Sequence, residues 1–599
     1  MPHLDAEARQ LVSEDALMAT CSQLCALGEK VAGSPEEELA CGIITAALEQ
    51  YGIDYTVHRF QSYVSHPVSA ALEIETSQGR VALEAVGVAF GLSTPGGGLV
   101  ATVVDVGDGG EGDYVGKDVS GKIALVGKLP SPHNALLAGR HGALGMICMS
   151  AGKQRHKMII TPVWGTPEFD QSATIPQLAV VSISGDDGKR MRSLMAEGPL
   201  TAKLETEVST GWREVRLPVA EIRGREPEFL LVGAHYCSWF DGSTDNVTGD
   251  ACVLELARVL KAFEGKLRYG LRLAWWPGHS HGRYSGSTWF ADTFFEDLHR
   301  HGIIYFNIDS PGVRGATVYV PRHQMAEVAD FNEAMTQEIT GWSTMTSSNA
   351  QLAIGKRGDK YVSSTRPSRA ADQSFWGIGL SSMSVYSMLT PDHPDRDPNV
   401  GGSGGAWWWH SEHETLDKID PAILAQDTKL YASILLRMAT ADVLPFQPSA
   451  IAQDYRDALR EYREAAGANF DFAGLERVVQ AYQSKAERLE RHLQGVTNEA
   501  VTAEANRLFL RLTRMLNPVL YQDAPGHLHD PALGSRALPS LKSALALGRM
   551  DPTQDAFRFA VAGLRRRLNH VLRQVQMATD ALDSFEAQLA EIGSNRKAS

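Results

Sequence analysis

Four textures of hydrophobic and polar residues succeed one another along the chain. Residues 15 to 60 read as a helix, a glycine turn in LGEKVAGSPEEE, a second helix in ELACGIITAALEQYG and a strand in DYTVHRF. Ser34 followed by Glu37 predicts a capping box at the start of that second helix. From about 65 to 205, short alternating runs split by glycine and proline, such as GLVATVVDVGDGG and GKIALVGKL, predict a compact β-rich module. Between 210 and 440 the apolar runs PEFLLVGAH, LRLAWW and GIIYFNID alternate with helical stretches such as GDACVLELARVLKAF. That order is the mark of βαβ units on a parallel sheet. After about 445 the chain turns helical and charged. Its last segment places apolar or small residues at Phe557, Val561, Leu564, Leu568, Val571, Val575, Ala578, Leu582, Phe585, Leu589 and Ile592. Alternating steps of four and three predict a helix packed on other helices. Heptads do not say whose: the partner is either a second copy, making a homodimer, or the chain's own bundle.

Composition narrows the classes. A length of 599 residues exceeds one ordinary core and suggests roughly two to four domains. The net charge of -14 disfavours nucleic acid or an anionic membrane as the main partner, since both reward a basic face. The N-terminus MPHLDAEARQLVSEDALMATC is acidic where a signal peptide is basic, and no apolar run approaches the roughly 20 residues that span a bilayer. A cytoplasmic location is the expectation. Cys21, Cys25, Cys41, Cys148, Cys237 and Cys252 show no Cys-x-x-Cys spacing and read as reduced, buried thiols.

Chemistry gathers where strands should end, the place where open α/β sheets bind ligands. LLVGAHYCSW delivers His235, FDGSTDNVTGD delivers Asp245 before a helix, AWWPGHSH delivers His279, Ser280 and His281, and YFNIDSPG delivers Asp309. Later, GGAWWWHSEHETLDKID delivers His410. Two histidines and two aspartates from four loops make a mixed nitrogen and oxygen set suited to zinc or another first-row divalent metal.

The stretch VGAHYCSWFDGSTDNVTGDACVLELARVL resembles the zinc aminopeptidase family that also contains glutamate carboxypeptidase II and the transferrin receptor, whose core reads G-A-H-x-D, D-N-x-S-G-x-A, G-E-E-x-G, N-x-D and H-T-x-x-D-T. LGEKVAGSPEEELACGIITAALEQYGI is similar to its N-terminal segment, and DVSGKIALV, AGRHGALGMI and IPQLAVVSISGDDG are similar to the protease-associated domain inserted in many members. SRAADQSFWGIGL resembles a late S-D-h-x-x-F-x-x-x-G-I-P segment, with Ala371 in place of the serine and Gln373 in place of the histidine. The resemblance implies an α/β fold: a mixed, mostly parallel sheet sandwiched by helices, with an inserted β-rich protease-associated domain and a C-terminal helical domain. The corresponding boundaries are 1–62 and 209–445 for the catalytic domain, 63–208 for the insert and 446–599 for a helical, dimerisation-like domain.

Carried over residue by residue, the resemblance implies that Asp245 bridges two metals, His235 and Asp309 complete one site and His410 contributes to the other. The family's G-E-E supplies a base and then a ligand, whereas this chain reads Gly278-His279-Ser280. A serine hydroxyl is a poor ligand, so the site at His410 is weakened and a single metal on His235, Asp245 and Asp309 becomes a real alternative. His279 falls at the base position, and imidazole can take a proton near neutral pH. The alternatives are that His279 or His281 becomes a ligand, or that His279 caps the strand end. Cys237 stands where an aspartate orients the histidine ligand, as an inert thiol or a thiolate ligand, and Glu414 replaces the aspartate after His410 with a longer arm. Trp408 and Trp409 are candidate walls for a substrate, although at least one of the three neighbouring tryptophans must pack in the core. TPDHPDRDPNVGGSGG reads as a mobile loop over the site, and Arg366 and Arg369 as candidates for a substrate carboxylate.

The expected function is a metal-dependent hydrolase cleaving an amide or peptide bond of a small molecule or short peptide through a metal-activated water, with His279 as proton shuttle. Zinc is the first expectation, as one or two ions, with manganese, cobalt or iron as alternatives. Two rivals stand beside it: a metal-dependent enzyme of changed reaction type, such as a non-peptide hydrolase, deaminase or lyase, and a non-catalytic, transferrin-receptor-like binding protein.

Overall fold

The apolar runs become strands where the pattern places them. In the computed structural model, which describes residues 2–76, 79–342, 355–357, 360–362 and 371–598, the first half of the chain gives β1 (Asp54–Thr76), β2 (Gly79–Leu83), β3 (Val86–Gly87), β4 (Leu99–Asp105), β5 (Ile123–Val126), β6 (Gly145–Met149), β7 (Ala179–Ile183) and β8 (Thr201–Ile222). The second half gives β9 (Phe229–His235), β10 (Gly270–Trp276), β11 (Gly302–Asn307), β12 (Val318–Arg322), the short pair β13 (Gly355–Arg357) and β14 (Lys360–Val362), and β15 (Ser381–Met388).

Among the described residues one 13-stranded sheet runs β12-β15-β11-β9-β10-β8-β4-β5-β6-β7-β3, with β1 and β2 beside it. β15, β11, β9 and β10 are parallel to their neighbours, and antiparallel β12 and β8 flank them. β9 and β11 are buried at every position, as strands covered by helices on both faces must be.

The insert is less purely β than its short runs suggest. β4, β5, β6 and β7 are parallel, and helices Pro132–Arg140 and Gly185–Glu197 accompany them. IALV, GMICM and AVVSI are buried throughout, which is the pattern of parallel strands covered on both faces. Insert and host are joined by β1 and β8, which pair antiparallel from Asp54 with Glu221 to Glu75 with Thr201. The expected boundaries at 62 and 208 fall inside this ribbon. Its single register slip lies between Pro67 and Ser69, where a proline has no N–H to donate to a ladder.

The N-terminal cap differs in detail from the expected box. Ser34 Oγ accepts from the Glu37 N–H at 3.3 Å, but the Glu37 carboxylate accepts from the N–H of Gly33, at 3.0 Å, one residue earlier than the reciprocal bond requires. At the other end, Leu564, Leu568, Val571, Val575, Ala578, Leu582 and Phe585 of helix Asp555–Ala598 are buried in the chain's main core. That helix packs on Ala473–Leu493 and Glu499–Tyr521, so the heptad face is covered by the chain's own bundle. All six cysteines are free and buried. Among the described residues no helix is long and apolar enough to cross a membrane.

Candidate active site

Three loops at the carboxyl edge of the parallel strands converge on one point. His235 ends β9, and its Nδ1 lies 3.0 Å from the Cys237 carbonyl oxygen. That bond fixes the ring so that Nε2 sits 2.9 Å from Asp245 Oδ1 and 3.9 Å from Asp309 Oδ1. Asp245 lies in the turn Ser243–Val247 that opens helix Thr248–Lys261, and Asp309 follows β11. Asn246 ties the two loops together, donating to the Ile308 carbonyl at 3.0 Å and accepting from the Ser310 N–H at 2.9 Å. One donor atom each of His235, Asp245 and Asp309 falls within 4.8 Å of the others, a nitrogen and oxygen set that fits one divalent cation.

The second oxygen of Asp245 is already engaged. Trp409 Nε1 donates to Asp245 Oδ2 at 2.5 Å, and His410 Nε2 lies 2.9 Å from the same atom. His410 Nδ1 is anchored 2.8 Å from the carbonyl of Lys157, a residue of the insert. His410 therefore stands at the site as a partner of Asp245, outside the three-donor cluster. A hydroxyl stands at Ser280, and Asp245 Oδ2 carries two groups, Trp409 and His410.

Electrostatics follow from burial. Burial disfavours a charged imidazole at His235, but the hydrogen bonds to Asp245 and Cys237 and the charges of Asp245 and Asp309 together outweigh it and hold the ring well above the usual histidine range. Asp245 moves the opposite way: burial raises it, and the hydrogen bonds of His235 and His410 more than reverse this and keep it well below the ordinary carboxylate range. Burial and then repulsion from Asp245 push Asp309 up, and the same two causes push Glu414 up to about 8. Carboxylates crowded together out of water are stabilised by a bound cation.

His279 opens the short helix His279–Gly282 directly after β10. Its Nδ1 lies 2.6 Å from Asp372 Oδ2, while Asp372 Oδ1 accepts from Ser287 at 2.7 Å. The His279 ring stacks on His235 with centroids 3.7 Å apart and planes 16° apart. A buried carboxylate thus sets the tautomer and leaves Nε2 as the atom that can exchange a proton. His279, Ser280, Asp245, Asp309, Trp409 and His410 share the wall of one cavity of about 280 Å³.

Residues 219–435, which hold every one of these side chains, match the model of peptidase family M28. This segment is a peptidase family M28 domain. The chain is similar to the probable glutamate carboxypeptidase VP8 of Zea mays, 22% identical with 72% of this chain and 68% of that one covered. It is also similar to aminopeptidase YwaD of Bacillus subtilis, 24% identical over 68% of this chain and 81% of the relative. A solved zinc aminopeptidase from Bacillus subtilis shares the fold with a TM-score of 0.52 at 20% identity, covering 71% of this chain and 94% of that structure. The M28 domain makes the chain a metal-dependent hydrolase of the aminopeptidase-like type.

The M28 domain sorts the remaining candidates. Cys237 contributes its carbonyl rather than its sulfur, replacing a carboxylate as the group that orients His235. Glu414 is buried and accepts from Thr244, Ser403 and the His410 N–H at 2.6, 2.7 and 2.8 Å, so it buttresses the loops. Trp408 is a correction: it is fully buried in a small core cluster, its Nε1 donating to Thr244 at 3.2 Å, because neighbouring indoles point to opposite sides and Trp409 takes the cavity side. His281 is turned away from the three-donor cluster, with its ring centroid 4.2 Å from that of Trp239. The loop expected to be mobile is pinned, Arg396 donating to the Gly404 carbonyl at 2.7 Å and Trp407 to Asp395 at 2.9 Å. Arg366 and Arg369 lie outside the described residues. Two other arginines, Arg283 and Arg322, line the cavity. The sequence signal for Asp372 was present in SRAADQSFW, where it is the matched aspartate between two departures.

Proposed function

We propose that the M28 domain hydrolyses an amide or peptide bond in a small molecule or short peptide, using one divalent cation, zinc foremost, on His235, Asp245 and Asp309. The observation that carries this reading is the three-donor cluster sharing a cavity with an imidazole whose Nδ1 is fixed by a buried carboxylate. A cation bound there supplies a Lewis acid for the scissile carbonyl and a more acidic water. His279 takes the proton of the attacking water at Nε2 and delivers it to the leaving nitrogen. Asp372 keeps the ring in the Nδ1–H tautomer and stabilises it while it is charged. Trp409 and His410 hold the Asp245 carboxylate in place. Arg283 and Arg322 suit a carboxylate on the substrate.

The test is turnover of a panel of aminoacyl and acyl-amide substrates by chelator-treated protein, alone and with zinc, manganese, cobalt or iron. Metal-dependent cleavage is expected, and no cleavage with any of the four metals overturns the reading. Ser280 and the two groups on Asp245 Oδ2 favour a second reading, changed chemistry on a non-peptide compound, which esters and cyclic amides added to the same panel would reveal.

A further inference from the structure

A second group of donors lies behind Trp239. The Trp239 ring centroid is 4.2 Å from that of His281 and 6.4 Å from that of His410, so the indole stands between the cavity and this group. Glu29, His66 and His281 each place one donor atom within 4.8 Å of the other two. His281 is fully buried, and neither of its ring nitrogens has a hydrogen-bond partner; the buried Nδ1 of His66 has none either. Buried imidazole nitrogens are nearly always satisfied, and an exception of this kind points to a ligand.

We propose that Glu29, His66 and His281 bind a divalent first-row transition metal at a site separate from His235, Asp245 and Asp309. Two imidazole nitrogens and one carboxylate oxygen are a familiar set for zinc, and three protein ligands leave a tetrahedral ion one further position. Bonds of about 2.0–2.1 Å space tetrahedral ligands about 3.4 Å apart, so side-chain rotation has to draw the donors together only modestly. Lys157 Nζ lies 2.7 and 2.9 Å from the two Glu29 oxygens. Each carboxylate oxygen carries two lone pairs, so the ammonium can remain as an outer partner while one oxygen turns to the ion. The ammonium serves neither nitrogen of His281.

The three ligands come from three separate parts of the chain: the segment between helices Glu14–Cys25 and Pro35–Gln50, strand β1 just before its slip, and the short helix after β10. An ion there fastens the N-terminal segment and the ribbon to the M28 domain. It also acts on the cavity at one remove, because the backbone of Lys157, the partner of Glu29, is bonded twice to His410: its N–H donates to the His410 carbonyl at 3.1 Å and its carbonyl meets the ring Nδ1 at 2.8 Å.

The experiment is cobalt titration of the chelator-treated full chain, followed by visible absorption and by elemental analysis after desalting. Wild type is expected to bind two equivalents. His66→Ala and Glu29→Gln each lose one and keep the equivalent that Asp245→Asn removes, so a failure of either site is told from a failure of the other. Glu29→Gln preserves shape and an acceptor for Lys157, and decides the matter if His66→Ala fails to fold. A wild type binding only the Asp245-dependent equivalent, or a folded Glu29→Gln with unchanged stoichiometry, overturns the proposal.

Discussion

His279 depends on a residue 93 positions away. The Asp372 contact at 2.6 Å holds its ring, and the proposed proton shuttle rests on that partnership. His279→Ala is expected to lower kcat by about 10²–10⁴-fold with bound metal unchanged; loss of metal instead would make the ring a ligand. Asp372→Asn is expected to lower kcat by about 10–100-fold at constant KM and metal content, a split that a merely structural role does not produce. The tryptophans divide in the same way. Trp408→Ala is expected to cost about 3–5 kcal/mol in chemical unfolding through the cavity it leaves, whereas Trp409→Phe keeps the bulk and removes the bond to Asp245, so it is expected to alter turnover with little loss of stability. At this scale the sequence was readable for side chains delivered by strand ends, His235, Asp245, His279 and Asp309. It was not readable for Asp372 on His279 or Trp409 on Asp245, since which atoms meet depends on rotamers and on contacts between distant loops. Nor did it reveal the turn of His281 away from its neighbours.

The elements were legible in proportion to how fully they are buried. Continuous apolar runs such as FLLVGAH gave parallel strands in the host, and the same kind of run in the insert, GMICM and AVVSI, gave parallel strands there too. The glycine and proline between those runs had suggested a plainer β module. The cap at Ser34 was legible as a pattern, but its geometry gave the Glu37 carboxylate a buried position against Gly33. Burial pushes Glu37 up to about 8. The native chain therefore holds a proton that the unfolded chain releases near 4.5. Stability falls as pH rises through that window, by at most about 1.4 kcal/mol per pH unit. Glu37→Gln removes this slope, so the melting temperature of the variant relative to wild type is expected to climb between pH 6 and pH 8; a constant difference would argue that Glu37 is ionised in the fold throughout.

For the whole molecule, the heptad face and the ribbon carry the lesson. Heptads stated that a helix needs helical neighbours, and the fold supplies them within the chain. Leu568→Ala is accordingly expected to cost about 2–5 kcal/mol in chemical unfolding while leaving the molar mass of the folded species as in wild type; dissociation to a smaller species would place that face between copies. The ribbon has a different consequence. Because β1 and β8 are hydrogen-bonded partners on both sides of the slip, the insert is, in topological terms, an overgrown hairpin turn. A cassette grafted at a turn leaves its host ladder closed, so exchanging residues 79–200 for a short loop need not break a single host strand. It would, however, strip away His156 and Lys157, whose contacts with the Trp409 carbonyl at 2.6 Å and with His410 at 2.8 Å brace the far wall of the cavity. The host would keep its sheet and lose that brace together with Met158 and Ile159 of the cavity wall, so the graft helps to shape the cavity.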